Sequence, residues 1–316
     1  MNYADNALQR GFAVVSTDSG HNVAVDNNPN ALGAVSFGMD PQARLDMGFN
    51  SYDPGFHIPK LGIDGAWVSK AFAAIATSND PNGAPLINKT FSDPDLLLLR
   101  QAVLERCDAL DGVADGLVAN STACQAAFDP QTAVLPSGQP LQCPGAKTDS
   151  CLTSAQLVAL KTALQAPVNG SGQPLYSDWP WDAGFGGIAN GAYNQTWRSW
   201  WLGTYDSSVN TSQRLNGPSA QSWLIDWASP PIQVPVTGVA SRILAFDFDV
   251  DAPKIFATSG IYTTSAADFD IYDSTDLSAF KAHGGKLIML TPMVNWIEHG
   301  TPPASVPASA TTPGRW

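Results

Sequence analysis

Between Cys107 and Cys124 the chain reads CDALDGVADGL over 107–117, which sets Asp108, Asp111 and Asp115 within eight residues, two of them followed by glycine. Like charges so close together repel, so a fold that gathers them needs a counterion or must leave them in water. A hard cation answers the need. Calcium takes about six to eight oxygens; Asp108, Asp111 and Asp115 offer carboxylates, and the carbonyls of Val113 and Leu117 turn inward between them. Glycines at 112 and 116 let the backbone curl round an ion. The spacing is not that of an EF-hand, which wants acids at alternate positions and a closing glutamate. A solvated acidic turn without metal is the other reading, and spacing alone leaves both open.

Four cysteines allow three connectivities. Cys107 and Cys124 bracket the acidic loop, Cys143 and Cys151 a short Pro/Gly segment, and pairing neighbours is the simplest choice. A bridge round the first loop is worth about 3 kcal/mol by restricting the unfolded chain. No Cys-x-x-Cys occurs, and the histidines at 21, 57, 283 and 299 lack zinc-type spacing. Disulfides imply an oxidising compartment. The first residues, MNYAD, have neither the basic start nor the apolar stretch of a signal peptide. The expectation is a cytosolic chain or one whose true start is missing, and disulfides favour the second.

Composition narrows the partners. The formal charge is −12 and no Lys/Arg cluster occurs, which excludes nucleic acid. Apolar runs fall well short of the roughly 20 residues needed to span a bilayer, so no membrane is expected. With 44% hydrophobic residues and only 14% charged, the 316 residues can build a packed core.

Both ends of the chain read as α/β structure. An apolar run at 12–16 between Gly11 and a polar loop suits a strand covered on both faces. Residues 276–283 form a short helix with Ser274 or Thr275 as cap, stopped by Gly284 and Gly285, and 286–290 is a second buried strand. Thr291 and Pro292 open a final helix through Glu298. From about 55 to 273 the chain is rich in Pro, Gly, Asn, Ser and Trp and holds all four cysteines. Its clear helices are 65–77, 93–108 and 153–165, the last capped by Thr153. This stretch reads as an inserted, loop-rich domain. Five Asn-x-Ser/Thr sequons, at Asn88, Asn120, Asn169, Asn194 and Asn210, decide nothing by themselves. No internal repeat stands out.

These residues resemble the tannase and feruloyl esterase family of serine carboxylic-ester hydrolases, which includes members of the mono(hydroxyethyl) terephthalate hydrolase type. The resemblance rests on RGFAVVSTDSGH at 10–21, the CDALDGVADG loop, CLTSAQ at 151–156, DLSAFKAHGGKLI at 276–288 and VNWIEHG at 294–300, in the family's order. It implies an α/β fold in which an α/β-hydrolase core carries a large inserted loop-rich lid domain. It also implies structural Ca2+ held by Asp108, Asp111, Val113, Asp115 and Leu117, and bridges Cys107–Cys124 and Cys143–Cys151. The expected divisions are 1–54 and 274–316 for the core and 55–273 for the lid. A small aromatic or phenolic ester is the implied partner, and an extracellular or periplasmic site the implied location.

Such an esterase needs a serine on a sharp turn, a histidine, an acid that orients it and N–H donors for the oxyanion. No Gly-x-Ser-x-Gly and no Cys-Ser pair occurs in the chain. The elbow belongs between the segment at 43–49 and that at 54–57, where Tyr52 and Asp53 run straight into Pro54. The family's acid and histidine belong after the strand at 286–290, where Thr291 follows Leu290 at once. The oxyanion segment belongs before residue 1. The core is therefore expected to be incomplete, with no catalytic residue assigned and little or no turnover. Asp18, Ser19 and His21 hold suitable side chains at a strand end, but residues so close in sequence rarely meet a triad's geometry, and the family does not use that loop as one. The tryptophans at 179, 181, 197, 200 and 201 suit an aromatic wall for phenolic substrates or plain packing. A non-catalytic, calcium-dependent binding module for aromatic esters is the alternative function.

Overall fold

The computed structural model of the chain describes residues 58–186, 197–212, 214–215, 228–232, 238–266 and 278–282. Residues 1–270 and 271–316 form two compact units. The expected strands at 12–16 and 286–290, the final helix, the loop with Asp18, Ser19 and His21, and the boundaries at 54 and 273 lie outside the described residues.

In the first unit, helix α1 runs Ile58–Ala73, where 65–77 was expected. Pro59 falls in its first turn, where a missing N–H leaves no bond unmade, so the helix opens ahead of Gly62 and Gly65 rather than at Gly65. It ends early because Ile75 and Ala76 donate three residues back, to Phe72 and Ala73, which tightens the last turn. Helix α2 is Asp93–Cys107, and Ser92 and Asp95 exchange side-chain and backbone bonds in a capping box. Helix α3, Ser121–Ala127, is capped by Asn120. Helix α4, Ser154–Leu164, has Thr153 and Gln156 as its capping box. Helices α5, Trp197–Trp201, and α6, Val239–Leu244, are short. In the second unit, α7 is Ser278–Ala282, inside the expected 276–283.

Among the described residues β structure is confined to isolated bridges. Three of them share one design. Asn79 pairs with Pro85, Val134 with Pro140 and Val168 with Pro174, over the sequences NDPNGAP, VLPSGQP and VNGSGQP. In each, the fifth residue is a glycine at positive φ (85°, 79° and 76°) that donates its N–H to the second residue's carbonyl. The second residue in turn donates to the sixth residue's carbonyl. This is the three-residue hairpin loop with a left-handed glycine, and the closing proline stands where no donor is needed. The chain thus repeats a turn, although no repeated domain is visible in its sequence.

The core of this unit is aromatic as much as aliphatic. Phe72 of α1 stacks edge-on to Phe91 at 5.5 Å and to Trp197 at 6.0 Å, Trp197 meets Phe185 at 4.9 Å, and Trp181 joins Phe185 to Phe128. Edge-to-face pairs at such distances add to the burial of the rings themselves. Trp67 Nε1 donates to the Thr162 carbonyl of α4 at 2.7 Å, and Lys70 Nζ to the Phe246 carbonyl just beyond α6 at 2.5 Å. Helix α1 is therefore tied on two sides. No described helix is long and apolar enough to cross a membrane.

Candidate functional site

Helix α2 delivers Cys107 to the start of the acidic loop, and a bond to Cys124 in α3, Cα–Cα 5.1 Å, closes the loop at its base. Cys143 bonds Cys151, Cα–Cα 4.9 Å. Among the three possible connectivities the fold thus contains the neighbour pairing. Asn120, besides capping α3, donates Nδ2 to the Leu110 carbonyl at 3.2 Å, so the far end of the loop is pinned as well.

Inside the loop each aspartate turns toward backbone N–H groups. Asp108 Oδ1 accepts from Asp115 at 3.0 Å and Gly116 at 2.9 Å. Asp111 accepts from Val113 on Oδ1 and from Ala119 on Oδ2, and Asp115 Oδ1 accepts from Leu117. These donors partly offset the mutual repulsion of the carboxylates. Gly112 has φ 99° and Gly116 φ 84°, the left-handed curl that a side chain resists. Val113 and Leu117, the two carbonyl candidates, are exposed by 49% and 63%. Among the described residues no three His, Cys, Asp or Glu side chains converge closely enough to hold an ion. The donor set itself is all oxygen, which suits a hard cation, and Oδ2 of Asp108 and of Asp115 takes no part in the loop's hydrogen bonds.

Two interior charge clusters have no motif in the sequence. Asp95, 3% exposed, serves the α2 capping box and also accepts Gln156 Nε2 at 3.0 Å and Lys147 Nζ at 2.7 Å. It thereby joins the starts of α2 and α4 to the small disulfide loop. The second cluster is Asp64, Tyr176 and Arg214, all buried. The Tyr176 hydroxyl donates to Asp64 Oδ1, and the Arg214 guanidinium lies over Trp200 at 4.8 Å and Trp201 at 4.7 Å. Burial lowers Arg214 to about 9 against the opposing pull of Asp64, while burial and Asp64 both raise Tyr176. The only sequence signal was an aspartate inside an apolar helical stretch, between Ile63 and Gly65.

Trp181 and Trp197 pack in the core, Trp200 and Trp201 face Arg214, and Trp179 stays 39% exposed. The candidate aromatic wall is thus largely packing. All four histidines lie outside the described residues.

The family model for tannase and feruloyl esterase matches residues 62–292. The chain belongs to this family. It is similar to the mono(2-hydroxyethyl) terephthalate hydrolase of Piscinibacter sakaiensis, with 49% identity over 336 positions covering 90% of this chain and 56% of that protein. It is also similar to an uncharacterized esterase of Xanthomonas campestris pv. campestris, 27% identical over 340 positions, 94% of this chain and 52% of that one. The chain thus spans about half the length of the curated relatives it matches. The crystal structure of feruloyl esterase B from Aspergillus oryzae overlaps 72% of this chain and 35% of its own, at 18% identity and TM-score 0.34.

Proposed function

We propose that the chain is a carboxylic-ester hydrolase by descent, comprising a lid with a calcium loop and an α/β-hydrolase core that lacks its catalytic segments, so that it turns esters over little or not at all. The observation that carries this reading is an alignment longer than the chain. The match to the terephthalate half-ester hydrolase runs over 336 positions while this chain has 316 residues, so the relative holds residues inside the matched range that have no counterpart here. The missing Gly-x-Ser-x-Gly and Cys-Ser signatures agree with a loss that includes the nucleophile. The ancestral substrates are aromatic carboxylic esters, the class named by the hydrolase and the feruloyl esterase above. The disulfides fit an extracellular or periplasmic site. A fluorophosphonate probe tests the reading: no serine is labelled and no phenolic ester is cleaved, whereas stoichiometric labelling of any serine overturns it.

Asp108, Asp111 and Asp115, with the carbonyls of Val113 and Leu117, would hold the calcium once the carboxylates turn from the loop's N–H groups toward a common centre, and its charge would neutralise them and fix the loop. All-oxygen donor chemistry and the two left-handed glycines support this assignment. Calcium added to chelator-treated protein is expected to raise the melting temperature; an unchanged melt would leave only an acidic turn. A non-catalytic, calcium-dependent module for aromatic esters is the second reading, favoured by the exposure of the Trp179 ring. Binding of a phenolic ester without turnover, lost on chelation, distinguishes it.

A further inference from the structure

The hairpin at 168–174 carries an arrangement that neither ester hydrolysis nor calcium binding uses. In an Asn-Gly dipeptide the glycine nitrogen can attack the preceding side-chain amide, because no Cβ shields it. Here the fold addresses all three reacting atoms of Asn169 and Gly170. The Gly170 N–H, the nucleophile, donates to both carboxylate oxygens of Asp249, each at 3.0 Å. The Asn169 Oδ1, which gains charge as the amide is attacked, accepts N–H groups from Ser171 at 3.0 Å and Gln173 at 2.9 Å. The departing Nδ2 donates to Gln173 Oε1 at 3.2 Å. A carboxylate on the nucleophile's proton and paired donors on the developing oxyanion are the two elements of general-base and oxyanion catalysis. Asp249 stands so close that a Cβ at 170 would collide with its carboxylate, so the contact requires glycine.

We propose that Asn169–Gly170 is a self-modifying site that converts asparagine to aspartate or isoaspartate in the folded protein. The Gly170 nitrogen bonds to Cγ of Asn169 and passes its proton to Asp249. The tetrahedral carbon then expels Nδ2 as ammonia, which takes the proton back from Asp249 and leaves a five-membered succinimide. Water opens the ring at either carbonyl. The balance is amide plus water to carboxylic acid plus ammonia, with no change of oxidation state. The modification adds a negative charge on the residue before the Gly170 N–H that Asp249 holds, so it weakens the bond between this hairpin and the segment at 247–251.

The chain contains its own control. Asn82 precedes Gly83 on another turn of the same design, but Gly83 donates its N–H to the Asp80 carbonyl at 2.9 Å. The full chain is incubated at neutral pH and body temperature, and both sites are followed by peptide mapping with mass spectrometry and isoaspartate detection. Asn169 is expected to convert at least about tenfold faster than Asn82, and Asp249→Asn to remove that excess while leaving Asn82 unchanged. Asp249 is exposed, and matching circular dichroism checks that the variant folds. In denaturant the two sites converge, a comparison that needs no variant. Equal or slower conversion at Asn169, an excess that survives in denaturant, or a rate unchanged or raised by Asp249→Asn each overturns the proposal.

Discussion

Asp251 is 3% exposed and is met by three donors: Arg242 at 2.7 Å, Lys254 at 2.6 Å and the Asp247 N–H at 2.9 Å. Burial pushes its pKa up, but the hydrogen bonds from Arg242, Asp247 and Lys254 outweigh it and hold the group at about 2. A folded-state pKa below the unfolded value of 3.8 means that the unfolded chain binds more protons in acid. The contribution is complete above about pH 4 and disappears as pH falls through about 2. Asp251→Asn is therefore expected to melt below the wild type near neutrality, with the gap closing on acidification toward pH 2; a gap independent of pH would show that the charge is not the cause. Single residues also resolve the sequons. Asn88 and Asn210 are buried, Asn88 donating to the Thr204 and Ser207 carbonyls and Asn210 to that of Pro85. These two are cross-links of the interior, whereas Asn120 is an exposed cap.

Helix starts were legible because a cap acts over three residues. Thr153 is legible as the cap of α4, which begins just after it, whereas the Ser92–Asp95 box that opens α2 is a finding of the structure. The short helix α6 has no side-chain cap and owes more to packing through Val239 and Ile243. The repeated turn is not legible in the sequence because its signature is only a glycine and a proline two residues apart, and its meaning lies in hydrogen bonds. Gly138→Ala tests it: a Cβ there meets nothing within 4 Å, so the loss of about 1–2 kcal/mol expected in chemical denaturation is backbone strain alone. The disulfides test loop closure. Replacing Cys107 and Cys124, separated by 17 positions, should cost about 3 kcal/mol, and replacing Cys143 and Cys151, separated by 8, about 2.5 kcal/mol, both measured by equilibrium denaturation.

For the molecule as a whole, stability depends on how the aromatic chain through Phe72 fills the first unit. Phe72 is fully buried and joins α1 to Phe91 and Trp197. Phe72→Ala should lose about 3–5 kcal/mol in equilibrium unfolding, and a loss under 1 kcal/mol would mean that the core closes over the gap. The charge balance also belongs to this scale: three of the acidic residues behind the −12 sit in one loop, so bound calcium would make the folded protein less negative than its composition. The sequence by itself determined the family, the cap of α4, the candidate calcium ligands and the absence of a serine elbow signature, because each is written within a few consecutive residues. The neighbour pairing of the cysteines, implied by the family resemblance, is what the fold contains, but only the tertiary structure decided that Asp64 shares the interior with Tyr176 and Arg214. It also decided that Lys70 reaches the carbonyl of Phe246 and that Gly170 meets Asp249. Asp64 and Tyr176, Lys70 and Phe246, and Gly170 and Asp249 stand 112, 176 and 79 positions apart along the chain. No local propensity encodes such a meeting; it exists only once burial has brought the segments together.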